Sequence, residues 1–242
     1  VMTDRPITSR CLECHITYAE GMGADTMEPI NFSRDKIIYG VGCEKCHGPA
    51  AEHVAWQTAH PQAKTASYII NPKKLSAQQQ LDVCALCHGG KMQKTKPSFQ
   101  FVPGKNLADY FRIDSVNNLS LAGGEVEVHG NQYGLLKKSK CFRASSAMTC
   151  SSCHNIHEKE RGQEALFSTR CMSCHPSTEE NFKTATHLQV TGIEQKCINC
   201  HMPAQESTTI AVYLQGEERP RAAKVRTHYI SIYPGETKKV LN

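Results

Sequence analysis

Twelve of the thirteen cysteines fall into six copies of one pattern: two cysteines separated by two residues, with a histidine directly after the second. The copies are Cys11-Leu-Glu-Cys14-His15, Cys43-Glu-Lys-Cys46-His47, Cys84-Ala-Leu-Cys87-His88, Cys150-Ser-Ser-Cys153-His154, Cys171-Met-Ser-Cys174-His175 and Cys197-Ile-Asn-Cys200-His201. This spacing is the attachment motif for c-type haem. Two thiols must reach the two vinyl groups of one porphyrin, and two intervening residues let a helical turn present both. The adjacent histidine then lies under the iron as its proximal ligand. The cofactor expected is therefore haem c, covalently bound, in six copies.

Zinc and disulfides are the competing uses of such cysteines. Zinc needs C-x-x-C pairs to combine into four-ligand sites and has no need of a histidine directly after every second cysteine. A disulfide framework has no need of those histidines either. Six immediate histidines in six motifs favour haem over both. Cys141 stands outside the motifs, between Lys140 and Phe142. We expect it to be a small buried apolar residue; intermolecular pairing is the alternative for an odd cysteine in an exported protein.

A low-spin electron-transfer iron needs a second axial ligand. Outside the motifs the chain carries six histidines, His53, His60, His129, His157, His187 and His228, one for each iron. Methionine is the other common sixth ligand and raises the potential. Met22 and Met27 follow the first motif, and we read both as packing residues. His60 precedes Pro61, which restricts its backbone to extended conformations. It is the default partner for the iron above His15. If His60 faces solvent instead, that iron is five-coordinate or takes a ligand from another chain.

The elements that must position these residues are short. The chain has 242 residues, about 40 per haem, too few for a conventional core around each. Hydrophobic residues make up 39%. The expected fold is mainly α with much irregular loop, short helices wrapped around a chain of stacked haems. A single domain over residues 1–242 is expected to hold one haem cluster at 11–88, a haem-free wrapping segment at 89–149, a second cluster at 150–201 and a closing wrap at 202–242. Ser76 with Gln79 forms a capping box opening a helix into Cys84. Ser177 with Glu180 predicts another running toward His187. Residues 50–59 read as a helix carrying His53 and Trp56. Residues 36–41 and 209–214 are β-type runs, and a short strand is expected at 125–129. No apolar run approaches the about 20 residues of a membrane span.

The polypeptide carries a net charge of +5. Six haems bring roughly twelve propionates, so the holoprotein is roughly −1 when oxidised and about −7 when reduced. The basic residues, including Lys137, Lys138 and Lys140, are thus read as propionate partners or solvated surface, not as a nucleic-acid footprint.

Several segments resemble a known family. Gly42-Cys43-Glu-Lys-Cys46-His47-Gly48-Pro49-Ala-Ala-Glu-His53 is similar to the C-x-x-C-H-G-P-x-x-x-H segment of multihaem cytochromes c with doubled C-x-x-C-H motifs. Cys150 to His157 matches their C-x-x-C-H-x-x-H segment, Cys197 to Pro203 their closing C-x-x-C-H-M-P, and Thr227-His228-Tyr229 their late histidine. That group is related to the four-haem nitrifier cytochrome and, more distantly, to pentahaem nitrite reductase and hydroxylamine oxidoreductase. The resemblance implies stacked haem pairs, with His53, His157, His187 and His228 as distal ligands to other haems.

The expected function is electron transfer between redox proteins, without catalysis. The alternatives are an oxidoreductase with one open haem acting on nitrogen or sulfur oxyanions, and a subunit of a polymeric wire or homo-oligomer. The C-x-x-C-K motif of pentahaem nitrite reductases is absent. Because c-type haem is attached outside the cytoplasm, a periplasmic or extracellular location is expected, Val1 standing as the start of a mature form. Mass spectrometry of the denatured holoprotein should give the polypeptide plus six haem masses; fewer haems, or zinc in their place, contradicts this reading.

Overall fold

The structure, a computed structural model, describes residues 7–24, 27–113, 130–180 and 182–241. His129 and the strand expected at 125–129 lie outside them. The chain divides into two compact units, Val1–Ser115 and Val116–Asn242, and the boundary falls within the haem-free stretch.

In the first unit, α1 (Ser9–His15) leads into an antiparallel hairpin of β1 (Tyr18–Met22) and β2 (Asn31–Ile38), with Tyr18 opposite Ile38. Then come α2 (Glu44–His47), α3 (Ala51–Ala59) and α4 (Ala77–His88). β3 (Met92–Lys94) pairs antiparallel with β4 (Phe111–Ile113). The expected capping box opens α4: Gln79 N–H donates to Ser76 Oγ at 3.3 Å, and Ser76 N–H donates to Gln79 Oε1 at 3.2 Å. Two of the helix's otherwise orphaned donors are so satisfied. Leu81, Asp82, Ala85 and Leu86 form its buried face, at the spacing of one helical stripe. Asp82 tolerates burial because it accepts from Leu107 N–H at 2.9 Å and from Gln78 at 2.6 Å.

The second unit contains α5 (Gln132–Lys138), α6 (Lys140–Ala144), α7 (Glu164–Met172), α8 (Ala185–Leu188) and α9 (Cys197–His201). A hairpin of β5 (Ala204–Val212) and β6 (Arg221–Arg226) follows, then α10 (Pro234–Leu241). Among the described residues its large buried apolar side chains are Tyr133, Leu135 and Ile198, outnumbered by buried polar residues such as Asn131, Ser139, Thr149, Ser168 and Thr227.

Two expectations need correction. The expectation of a mainly α fold is met only in part: among the described residues short helices alternate with three two-stranded sheets. Helices cannot lengthen because a breaker follows many of the motif histidines, as in Gly48-Pro49, Gly89-Gly90 and Pro176. The β-type runs are strand only in part: residues 36–38 end β2 and 209–212 end β5, while 39–41 and 213–214 lie beyond them. Nor does Ser177 open a helix. Phe182 N–H bonds Glu179 O and Lys183 N–H bonds Glu180 O, closing tight turns, and the helix before His187 is only α8. The Ser-Thr-Glu-Glu run has no apolar face to dock, and a short helix without tertiary support is not stable.

The polypeptide alone leaves its core unfinished. Among the described residues sixteen large hydrophobic side chains are exposed against nine buried, an apolar surface of the kind that marks a binding site. Tyr39, Leu188 and Ile232 each stand about three-quarters exposed.

One buried ion pair anchors the first unit. Lys94 Nζ lies 2.5 Å from Glu13 Oε2, with both side chains under 5% exposed. Glu13 Oε1 accepts Phe99 N–H at 2.9 Å, and Lys94 also donates to Ser98 Oγ at 2.7 Å. Removing one partner strands a charge. Lys94→Met should lower the unfolding free energy by about 3 kcal/mol, and adding Glu13→Gln should recover much of it. Guanidinium titration of the holoprotein reads both; a loss under about 1 kcal/mol in the single variant contradicts the pairing.

Candidate functional site

Each cysteine motif lies on a helical turn. Motif one ends α1, motif two enters α2, motif three ends α4, motif four begins a 3₁₀ turn at Cys150–Ser152, motif five spans the end of α7 and motif six forms α9. In motifs two, four and five the histidine N–H donates to the carbonyl of the first cysteine, at 2.9, 3.0 and 2.9 Å. That bond curls the five residues so that both thiols and the imidazole stand off one turn. None of the thirteen cysteines is joined in a disulfide. Among the described residues no three His, Cys, Asp or Glu converge as metal ligands, so the pairs are not arranged as four-ligand zinc sites.

After His47 the chain must turn sharply. Gly48 has φ +76, the left-handed region, and a Cβ there would meet Ile70 Cδ1 at 3.3 Å. The glycine lets α2 stop at the ligand and the chain enter α3, which carries His53.

Five imidazoles are oriented the same way. Nδ1 lies 2.7 Å from Ile70 O in His47, 2.8 Å from Ser67 O in His53 and 2.8 Å from Trp56 O in His60. It lies 2.7 Å from Phe182 O in His187 and 2.9 Å from Ser231 O in His201. A carbonyl can only accept, so each Nδ1 bears the proton and each Nε2 presents a lone pair. This is the second-shell arrangement that prepares a histidine for a metal.

In the second unit two histidine pairs face one another. His154 and His228 have ring centroids 6.2 Å apart, and His187 and His201 6.1 Å apart. Two metal–nitrogen bonds of about 2 Å and two ring halves of about 1.1 Å span roughly 6 Å, so the centroid separations match those of two imidazoles sharing one metal. With the thiol pairs and the uncovered apolar surface, these spacings fit haem c.

Polar contacts hold the pairs. Ser139 Oγ donates to His228 O at 3.1 Å and accepts Ile230 N–H at 2.8 Å. Arg226 donates to Ile198 O at 2.7 Å and to Met202 O at 2.8 Å, capping α9, and bonds Glu164 at 3.1 Å. Glu160 Oε2 stands 3.8 Å from His154 Nδ1. Arg170 grips Glu160 through both carboxylate oxygens and donates to Cys153 O at 2.5 Å, tying motif five to motif four. The guanidinium holds the Glu160 carboxyl below its ordinary range.

Motifs also meet through sulfur. Cys87 Sγ lies 3.9 Å from Glu13 O and Cys14 Sγ 3.8 Å from Leu86 O, and the two sulfurs lie within hydrogen-bond reach of each other. Cys171 and Cys197 are likewise within hydrogen-bond reach of each other. Motif one thus adjoins motif three, and motif five adjoins motif six.

The remaining sites are placed as follows. His15, His88, His157 and His175 are exposed. His60 is exposed and stacked on Trp56, with ring centroids 4.6 Å apart. Cys141, half-buried in α6, lies within electrostatic reach of Cys153 and Cys171. Sequence reasoning missed Glu13, Lys45, Lys94, Glu160, Arg170 and Arg226. Two of these, Glu13 and Lys45, occupy variable positions inside motifs, which was the one available signal.

Comparison with known proteins agrees with this chemistry. The cytochrome c554 and c-prime family profile matches residues 2–48, and the N-terminal region of the NapC/NirT cytochrome c family matches residues 161–224. The C-type polyheme cytochrome OmcC of Geobacter sulfurreducens is 23% identical over 177 residues, covering 66% of this chain and 22% of the relative. The chain therefore spans less than a quarter of that relative's length. No solved structure matches. These matches support a likeness to multihaem c-type cytochromes, a class that carries covalently bound haem. Among the described residues no helix is long and apolar enough to cross a membrane.

The Glu160–Arg170 pair makes a pH prediction. A carboxyl whose folded value is depressed stabilises the fold above its unfolded value, about 4.3, and loses that contribution as pH falls through the folded value. Arg170→Gln should therefore weaken the protein at neutral pH, with the gap to wild type closing as pH drops below about 4. Soret absorbance during acid titration reads this; a gap that persists at low pH contradicts it.

Proposed function

We propose that this chain is an exported hexahaem cytochrome that carries single electrons between redox proteins, each iron held by two histidines. Haem c, when bound, supplies the one-electron iron couple. The chain's own groups fasten it, orient its ligands and keep water from it. His15, His47, His88, His154, His175 and His201 serve as proximal ligands. His53, His60, His129, His157, His187 and His228 serve as distal ones. The twelve motif cysteines supply the thioethers.

The observation that carries this reading is the pair of facing imidazoles. In our assignment His154 and His228 share one iron, and His201 and His187 share another. Both lie in the second unit, so the assignment needs no contact between units. The printed name of the Geobacter relative, a polyheme cytochrome, supports the same class. So does the sequence resemblance to the four-haem nitrifier cytochrome group, at a more distant level.

Low-temperature electron paramagnetic resonance of the oxidised protein tests the ligation. Wild type should show only low-spin iron. His228→Ala and His187→Ala should each convert one of the six irons to high spin, and His60→Ala should do so for the iron above His15. A high-spin signal in wild type that responds to cyanide contradicts full bis-histidine ligation. An unchanged spectrum in a variant removes that histidine from the ligand set.

A further inference from the structure

We propose that Lys45 raises the reduction potential of the haems attached at motifs one and three. The inference rests on the reading that those motifs bear haem, and it adds a residue that tunes them.

Lys45 occupies a variable position of motif two, yet its side chain leaves that motif. Its Nζ donates to Thr17 O at 3.3 Å and stands 5.3 Å from the centroid of the Phe99 ring. Thr17 fixes this corner: its Oγ1 donates to Gly40 O at 2.7 Å and accepts Gly42 N–H at 2.8 Å. The ammonium is half-buried, within electrostatic reach of Cys87, Cys14, Glu13 and Cys46. It therefore sits beside the junction where the attachment sulfurs of motifs one and three touch.

The other charges at that junction are Arg10, Glu13 and Lys94. Arg10 donates to Leu86 O at 2.8 Å, and its Nη1 lies 3.8 Å from Glu13. Glu13, the acid in reach, is already held by Lys94 and by Phe99 N–H. Among the described residues no carboxylate pairs with Lys45. Beyond the junction, Glu28 lies within electrostatic reach of Lys94. Arg10 and Lys94 both pair with Glu13, and the charge of Lys45 is the one without an ion-pair partner. Adding an electron to an iron adds negative charge. A fixed positive charge in a partly desolvated site favours that state.

Potentiometric titration of the holoprotein, followed in the visible α-band, tests this. Lys45→Gln should lower the reduced-to-oxidised ratio of two of the six haems about tenfold at fixed ambient potential, a shift of about 59 mV for one electron. Lys45→Arg should keep the wild-type curve. If Lys45→Gln fails to assemble, Lys45→Met, which keeps the stem packed on Phe99, replaces it. Mass spectrometry of each variant counts haems. Six haems with a curve moved less than about twofold, or loss of potential in Lys45→Arg as large as in Lys45→Gln, overturns the role of the charge and leaves the haem reading intact. Absence of haem from motifs one and three in wild type overturns the reading itself.

Discussion

An imidazole serves a metal well only when its second nitrogen is engaged, and a porphyrin is held firmly only when protein closes over its faces. The chain is organised to satisfy both conditions with very little apolar material. Backbone carbonyls at Ser67, Ile70, Phe182 and Ser231 take the Nδ1 protons of four histidines. Those carbonyls belong to loops. Loop backbone that would be idle in an ordinary domain is therefore committed to ligand orientation, which explains why the connections between motifs are long in proportion to the helices.

The attachment sites were legible because covalent chemistry demands a fixed local spacing, and no tertiary information is needed to read it. Helices α3 and α4 were legible for a related reason: Ser76 and Gln79 cap locally, and the run after Pro49 carries no breaker until His60-Pro61. The Ser177 capping box misled because a cap decides where a helix starts only if packing makes the helix worth forming. The strands were underestimated because β5 and β6 support each other across a hairpin, and neither declares its pairing in its own residues.

Long-range electrostatics were illegible. Glu13 meets Lys94 across 81 positions, and Arg10 meets Leu86 across 76. Nothing in C-L-E-C-H announces that its glutamate is buried, or in C-E-K-C-H that its lysine leaves for another motif. The facing of His154 with His228 is of the same kind, a meeting of residues far apart in the chain. Motif chemistry says which residues can bind, and packing alone says which of them meet.

The two facing pairs differ in one respect. The rings of His154 and His228 lie 26° from parallel, while those of His187 and His201 cross at 69°. Imidazole planes decide how the iron's two π-type d orbitals split. Near-parallel planes would lift their degeneracy and give a rhombic magnetic signature. Nearly crossed planes would leave the two orbitals close in energy and give a strongly axial one. Two centres with the same ligand atoms would thus be magnetically distinct, each bearing in its g-values the rotation that a backbone carbonyl or a glutamate has imposed on its ring.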